Sequence, residues 1–276
     1  MKGLADGVTL NNGVTMPWLG LGVYKTQEGT EVEHAVRAAL ELGYRSIDTA
    51  ALYQNELGVG RAIRESGIAR ETLFVTTKVW NSNQGYELTL RAFEESLEKL
   101  SMDYVDLYLI HWPVKGKYKE TWKALEKIYR DGRAKAIGVS NFHVHHLQDL
   151  MESSEVVPAV NQVEYHPYLQ QVALLAFCNQ QQIWLEAWSP LARGGEVLHH
   201  PVIAEIARNH GKSPAQVILR WDLQKGVVTI PKSIHTERIR ENSEVFDFEL
   251  TPQDMSKIAE LNLNKRIGPD PDNFDF

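Results

Sequence analysis

Cysteine is nearly missing: Cys178 is the only one in 276 residues. No disulfide can close within the chain, and a reducing cytoplasm is the compartment that fits. Beside Phe177 in a helical pattern, the thiol reads as a packing residue and not as a nucleophile. Long apolar runs are missing as well. No segment reaches the roughly 20 apolar residues of a membrane span, and residues 1–7 lack the apolar stretch of a signal peptide. A soluble cytoplasmic protein is therefore expected. Positive charge is not in excess either. The net charge of −7 argues against a general attraction to nucleic acid or an anionic membrane, although a local basic pocket could still take a phosphate. No low-complexity linker and no long repeat divides the chain, so one domain over residues 1–276, acting as a monomer, is expected.

What is present is an alternation. Val8-Thr9-Leu10-Asn11-Asn12-Gly13-Val14-Thr15 sets apolar and polar residues in turn around Asn-Gly, a hairpin signal. Short apolar and β-branched runs then recur at 18–20, 46–48, 74–78, 105–110, 134–139, 159–163, 183–187 and 227–230. Between them lie segments of helical period such as 30–42, 88–100, 121–130, 144–151, 170–179 and 213–225. Repeated βα units require a parallel sheet, and eight strands in a chain of this length predict an α/β fold, a (β/α)8 TIM barrel with an N-terminal β-hairpin. Thr251-Pro252-Gln253-Asp254 offers an N-cap, a proline at the first helical position and an acid in the first turn, which predicts an extra C-terminal helix through Leu261. Residues 268–276 carry Pro269, Pro271 and several acids and are expected to run irregularly across the barrel mouth.

In such a barrel the reactive groups sit where strands end. That rule selects Asp48, Lys78 and His111, with Tyr53 in the loop after Asp48; further round come Ser140, Asn141, Asn161, Gln162, Glu164, Trp188 and Ser189. Adding a hydride to a carbonyl leaves negative charge on oxygen, so the site needs an acid there. Tyr53 can be that acid if Lys78 lowers its pKa, with Asp48 keeping Lys78 charged and His111 orienting the carbonyl. Each residue alone also has a plain structural explanation; four of them at adjacent strand ends favour chemistry.

Gly43-Tyr44-Arg45-Ser46-Ile47-Asp48-Thr49-Ala50 with Tyr53 and Glu56, then Leu107-Tyr108-Leu109-Ile110-His111-Trp112-Pro113, resemble segments of the aldo-keto reductase family. Gly138-Val139-Ser140-Asn141-Phe142, Asn161-Gln162-Val163-Glu164-Tyr165-His166-Pro167 and Ile230-Pro231-Lys232-Ser233 are similar to further family segments in the same order. The resemblance implies that Asp48, Tyr53, Lys78 and His111 form a catalytic tetrad and that no metal or flavin is used. It implies NADPH in preference to NADH: Lys232, Ser233 and Arg238 toward the 2′-phosphate, Glu241 and Asn242 toward adenine, Ser189 and Leu191 toward the pyrophosphate. Ser140, Asn141 and Gln162 would bind the nicotinamide amide and Trp188 would stack on its ring, with Gly22, Val23, Tyr24 and Asp48 completing the cofactor contacts. His235 departs from the small hydroxyl residue frequent in the family at that place. Read without the resemblance, Arg238-Ile239-Arg240-Glu241 is a solvated charged helix face. Gly20-Leu21-Gly22 lacks the third glycine of a Rossmann fingerprint, leaving either a close approach to ligand or a tight turn.

Tyr24, Trp80, His111 and Trp112, with Asn81, are expected to wall the substrate space. The short stretch 113–121 implies an open mouth, resembling compact bacterial members that reduce glyoxal, methylglyoxal, diketo-gluconate and assorted aldehydes. His143, His145, His146, His199 and His200 raise a metal site, against which stands the lack of a thiolate or carboxylate at ligand spacing. Two rival functions are carried: a non-catalytic NADPH-binding redox-sensing subunit, and a Schiff-base aldolase using Lys78.

Overall fold

The structure, a computed structural model, describes Met1 and residues 3–274. Strands β1 (Gly7–Thr9) and β2 (Thr15–Pro17) pair antiparallel with Val8 opposite Met16. The turn between them uses Gly13 at φ 87°, a backbone state that costs glycine little. Eight parallel strands follow: β3 (Leu21–Gly22), β4 (Ser46–Asp48), β5 (Phe74–Val79), β6 (Val105–Ile110), β7 (Ala134–Ser140), β8 (Val160–Glu164), β9 (Trp184–Trp188) and β10 (Val228–Thr229). They are hydrogen-bonded in chain order, and the seam closes through Gly20 N–H to the Thr229 carbonyl at 3.0 Å and Gly22 N–H to the Pro231 carbonyl at 3.2 Å.

That seam corrects the reading of the first strand and its glycines. Regular pairing starts at Leu21, not residue 18, and Leu19 makes only a lone bridge to Thr229. A Cβ on Gly20 would meet Ser46 Oγ at 2.8 Å, and one on Gly22 would meet the Ile230 carbonyl oxygen at 2.8 Å. The glycines let first and last strands approach; neither makes a left-handed turn.

The helices are α1 (Thr30–Glu41), α2 (Glu56–Glu65), α3 (Tyr86–Leu100), α4 (Tyr118–Arg130), α5 (Val144–Met151), α6 (Val172–Gln180), α7 (Pro201–His210), α8 (Pro214–Gln224), α9 (Thr236–Ser243) and α10 (Pro252–Ala259). Local chemistry sets several ends. Ser213 caps α8, its hydroxyl taking Gln216 N–H at 3.2 Å while Gln216 Oε1 takes Ser213 N–H at 2.9 Å. Thr251 and Asp254 do the same for α10, the extra C-terminal helix. Cys178 is buried in α6, and burial pushes its thiol up to about 12, which makes it a poor nucleophile.

Side chains alternate along each strand, so one set points into the barrel. At the N-terminal end this set is apolar: Phe74, Leu107, Leu109, Ala136, Val160 and Val228 pack with Val8, Leu10 and Met16 of the hairpin, which plugs the floor. Toward the C-terminal ends of the strands the inward set becomes polar, with Asp48, Lys78, Gln162 and Glu186. The tail crosses the mouth, tied by Ile267 N–H and Gly268 N–H to the Glu164 carboxylate at 2.6 and 2.8 Å. The last part of the expected tail, residues 275 and 276, lies outside the described residues.

Candidate active site

Asp48 ends β4, and Lys78 points inward from β5 beside it. Lys78 is fully buried, so its three ammonium protons must find acceptors. They do: Asp48 Oδ1 at 2.6 Å, the Thr49 carbonyl at 2.9 Å and Tyr53 Oη at 3.3 Å. Burial alone would strip the charge from Lys78, but Asp48 and then Tyr53 hold its pKa above the ordinary value.

Tyr53 closes a short helical turn, Ala51–Tyr53, anchored from below. Asn55, fully buried, donates to the Val23 and Thr26 carbonyls at 2.9 and 3.0 Å and accepts from Thr49 Oγ1 at 2.7 Å. Lys78 acts on this phenol in the expected direction, but burial opposes it. Burial pushes the Tyr53 pKa up to about 12; Lys78 pulls it down, but Asp48 pushes it back up. Desolvation of a phenolate outweighs one neighbouring cation that is itself already paired.

His111 follows β6, its ring edge-on to Tyr53 at 5.7 Å and to Trp80 at 5.1 Å between centroids. Burial, and then Lys78, hold its pKa well below the ordinary value, so the imidazole is neutral. Its Nδ1 is buried without a hydrogen-bond partner among the described residues.

These groups open on one cavity of about 1020 Å³. Its lining includes Gly22, Tyr24, Asp48, Tyr53, Trp80, His111 and Trp112, with Ser140, Asn141, Gln162, Trp188, Ser189 and Leu191, and with Lys232, Ser233, Arg238, Glu241 and Asn242. Five expected residues are not in that wall, two of them being Asn161, which bonds the Phe142 carbonyl, and Glu164, which holds the tail. Val23 is buried behind it, bonded through its backbone to Asp48 and Asn55. Lys78 lies under Tyr53, and Asn81 is buried next to Gln84. The tail contributes Pro269 and Phe274, the latter against Trp112 at 4.5 Å between ring centroids. A Cβ on Gly268 would strike Trp188 at 2.5 Å, so the tail packs directly on that ring.

The amides at the base of the cavity have most of their donors spent. Asn141, at φ 64°, donates to the His111 carbonyl at 3.0 Å and accepts from Trp188 Nε1 at 2.8 Å. Gln162 Nε2 donates to Asp48 Oδ2 at 2.8 Å and to Glu186 Oε2 at 2.7 Å. What such a lining still offers a ligand is oxygen acceptors, the complement of a primary amide. Glu186 was missed in the sequence. It is buried, and burial and then the nearby Asp48 push its pKa up to about 8. Its signal was an ionisable residue at an inward position of the apolar strand Trp184–Trp188.

The histidine cluster also needs correction, because folding supplies the carboxylate that local spacing lacked. Asp272 of the tail lies 3.0 Å from His143 Nδ1, 3.0 Å from His145 Nε2 and 3.5 Å from His146 Nε2. His143 Nε2 accepts from Arg266 and His146 Nδ1 accepts from the His143 backbone N–H, so their protonated nitrogens face Asp272. Ring N–H groups thus converge on a carboxylate and strap the tail to the start of α5. His199 lines the cavity elsewhere, and His200 caps α7.

A barrel with a buried Asp-Lys pair beneath a tyrosine and a neutral histidine defines a class of protein, and comparison with known proteins agrees. The Aldo/keto reductase family profile matches residues 18–263, and the chain belongs to that family. Glyoxal reductase of Bacillus subtilis (strain 168) is 61% identical over 273 residues, covering 99% of each chain. Among solved structures, MGS-M4, an aldo-keto reductase from a Medee basin deep-sea metagenome library, superposes with a TM-score of 0.96 at 48% identity, covering 98% of this chain and 100% of that one. A mutant of Gox0644 in complex with NADPH gives a TM-score of 0.93 at 46% identity, with 98% of both chains covered.

Proposed function

We propose that this aldo/keto reductase uses NADPH to reduce small aldehydes, dicarbonyls and keto sugars to alcohols, with Tyr53 as the acid that protonates the carbonyl oxygen. The observation that carries this reading is the Tyr53 hydroxyl at the cavity wall, 3.3 Å from a Lys78 ammonium whose other protons are held by Asp48 and Thr49. When bound, NADPH supplies the hydride that goes to the carbonyl carbon.

The chain's own residues do the rest. His111, neutral, gives a hydrogen bond to the substrate oxygen and orients it. Tyr53 keeps its proton at neutral pH and releases it only to the developing alkoxide, a stronger base than the phenolate left behind. Lys78 faces that phenolate and neutralises it, so the charge is stabilised where it forms. Trp80, Trp112 and Tyr24 wall the carbonyl in from water.

The cavity lining offers groups suited to each part of the cofactor. Lys232 and Arg238 supply cations for the 2′-phosphate, with Ser233, Glu241 and Asn242 beside them; Ser189 and Leu191 serve the pyrophosphate; Ser140, Asn141, Gln162 and Trp188 receive the nicotinamide. A relative named glyoxal reductase and a neighbour solved with NADPH support substrate class and cofactor. We propose further that residues 1–276 act as one domain, as a monomer and in the cytoplasm, without nucleic acid or membrane; the lone buried cysteine and the acidic charge balance support this. Among the described residues no helix is long and apolar enough to cross a membrane. The aldolase alternative requires an uncharged Lys78, which Asp48 opposes.

The test is Tyr53→Phe with a panel of carbonyls and both nicotinamide cofactors. Reduction of methylglyoxal should fall about 10²–10⁴-fold while the NADPH dissociation constant stays within a factor of two. Unaltered turnover would remove Tyr53 from the mechanism.

A further inference from the structure

Gln162 has one amide nitrogen and two carboxyls compete for it. Asp48 Oδ2 takes one hydrogen at 2.8 Å and Glu186 Oε2 takes the other at 2.7 Å, all three side chains being buried. Among the described residues Lys78 is the one cation paired with this set, and its ion pair is with Asp48. A second carboxylate in the same dry volume would be uncompensated, which burial penalises heavily. The flanking strand β10 brings no further charge: Val228 stands beside Glu186, and Asp222 reaches only Thr229 on the opposite face.

We propose that Glu186 is a positioning residue of the reductive site: as a neutral carboxylic acid it holds the second N–H of Gln162 and thereby fixes the amide oxygen toward the cofactor cavity. This rests on the reading of the cavity given above. Asp48 alone holds one hydrogen while the amide can still turn about that bond; Glu186 takes the other hydrogen and removes the freedom. Ordinary packing would be served by a leucine, which would leave a buried N–H without an acceptor. Neutrality matters as well as position. The charged groups that act on Glu186 are Asp48 and Lys78, and its ionisation would place a second negative charge under the Tyr53–Lys78 pair. Leaving a phenolate there would then be harder, so turnover should fall as pH rises through about 8.

The experiment compares wild type, E186Q and E186A, using quenching of tryptophan fluorescence by NADPH and NADP⁺, the pH profile of kcat, and the thermal midpoint as a check on folding. Trp80, Trp112 and Trp188 line the cavity and report binding directly. E186A should weaken NADPH by about 2- to 10-fold, the loss of one hydrogen bond. E186Q, whose amide oxygen can still accept from Gln162, should restore most of that affinity and move the alkaline fall in kcat to higher pH. If E186Q binds as poorly as E186A, a neutral acceptor is not what the site uses. If both variants bind like wild type, or if E186Q keeps the wild-type alkaline limb, the proposal is overturned. Absence of quenching in wild type would instead overturn the cofactor reading on which it rests, which separates the two failures.

Discussion

The two ends of the barrel are built from opposite materials. The floor is aliphatic and aromatic: Met16 is completely buried, and its neighbours Phe74, Leu107, Leu109 and Val160 are packed against the hairpin with no charge among them. The mouth, only a few residues further along the same strands, buries Asp48, Lys78, His111, Gln162, Glu164 and Glu186. Buried atoms without hydrogen-bond partners occur there at His111 Nδ1 and Glu186 Oε1, and left-handed backbone occurs at Asn141 and Ser189. Such features cost free energy, and a fold tolerates them where something else over-determines the structure. The contrast teaches that the floor supplies stability which the mouth spends on chemistry, and it can be broken by changing each end separately.

The largest effect on folding is expected at the floor. Met16→Ala should destabilise by about 2–5 kcal/mol, since deleting a fully buried side chain leaves a cavity that the closed barrel cannot collapse. The thermal midpoint should drop by about 2–4 °C per kcal/mol, with kcat/KM on methylglyoxal unchanged below the transition. A matching loss of activity at a temperature where the variant is folded would show that the two ends are not separable.

A smaller effect is expected in the mouth. Arg238→Ala should weaken NADPH by about 1.5–3 kcal/mol, roughly 10- to 150-fold, because a charge-assisted contact to phosphate is lost. NADH, which lacks that phosphate, should change less than about 2-fold, and the melting curve of the free protein should barely move, because Arg238 is exposed. Equal losses for both cofactors would place the phosphate elsewhere. The comparison is sharpened by His235, whose side chain lines the same cavity where the family resemblance expects a small hydroxyl.

How much of this was legible follows the same division. The strands were readable because hydrophobic and β-branched runs are local: β4 and β6 fall where expected, and β5 and β7 to β9 within a residue or so. The first strand was displaced because its glycines answer to a non-local seam. Helix α2 was hidden by Gly58 and Gly60, poor helix formers that are required because a Cβ on Gly60 would lie 2.2 Å from the Leu100 carbonyl oxygen. Residue types at strand ends revealed Asp48, Tyr53, Lys78 and His111. Their protonation was not readable: the sequence shows that a lysine neighbours a tyrosine, but not that the lysine is fully buried and the tyrosine partly so. The same holds for Asp272, which meets His143, His145 and His146 from across the fold, and for Glu186, whose role depends on an amide on the adjacent strand.

The smallest effect separates the ends by pH. His111 is buried and neutral, with its pKa held well below that of an ordinary histidine near 6.5. Below about pH 6.5 the unfolded chain binds a proton there that the folded chain refuses, so the unfolded state holds more protons and stability must rise with pH in that window. The share of His111 is fully present above that pH and is lost as the solution becomes acidic. Between pH 7.5 and 5.5 it is bounded by the protonation free energy of an ordinary histidine over that range, at most about 1.4 kcal/mol. Urea unfolding of wild type and His111→Gln at both pH values isolates it: the acid loss should be smaller in the variant by up to that amount, whereas Met16→Ala should shift both pH values equally, because the residues packed with Met16 are apolar. An identical acid loss in wild type and His111→Gln would mean that the imidazole is not held neutral by its surroundings, and the mouth would then be carrying less electrostatic strain than its burial requires.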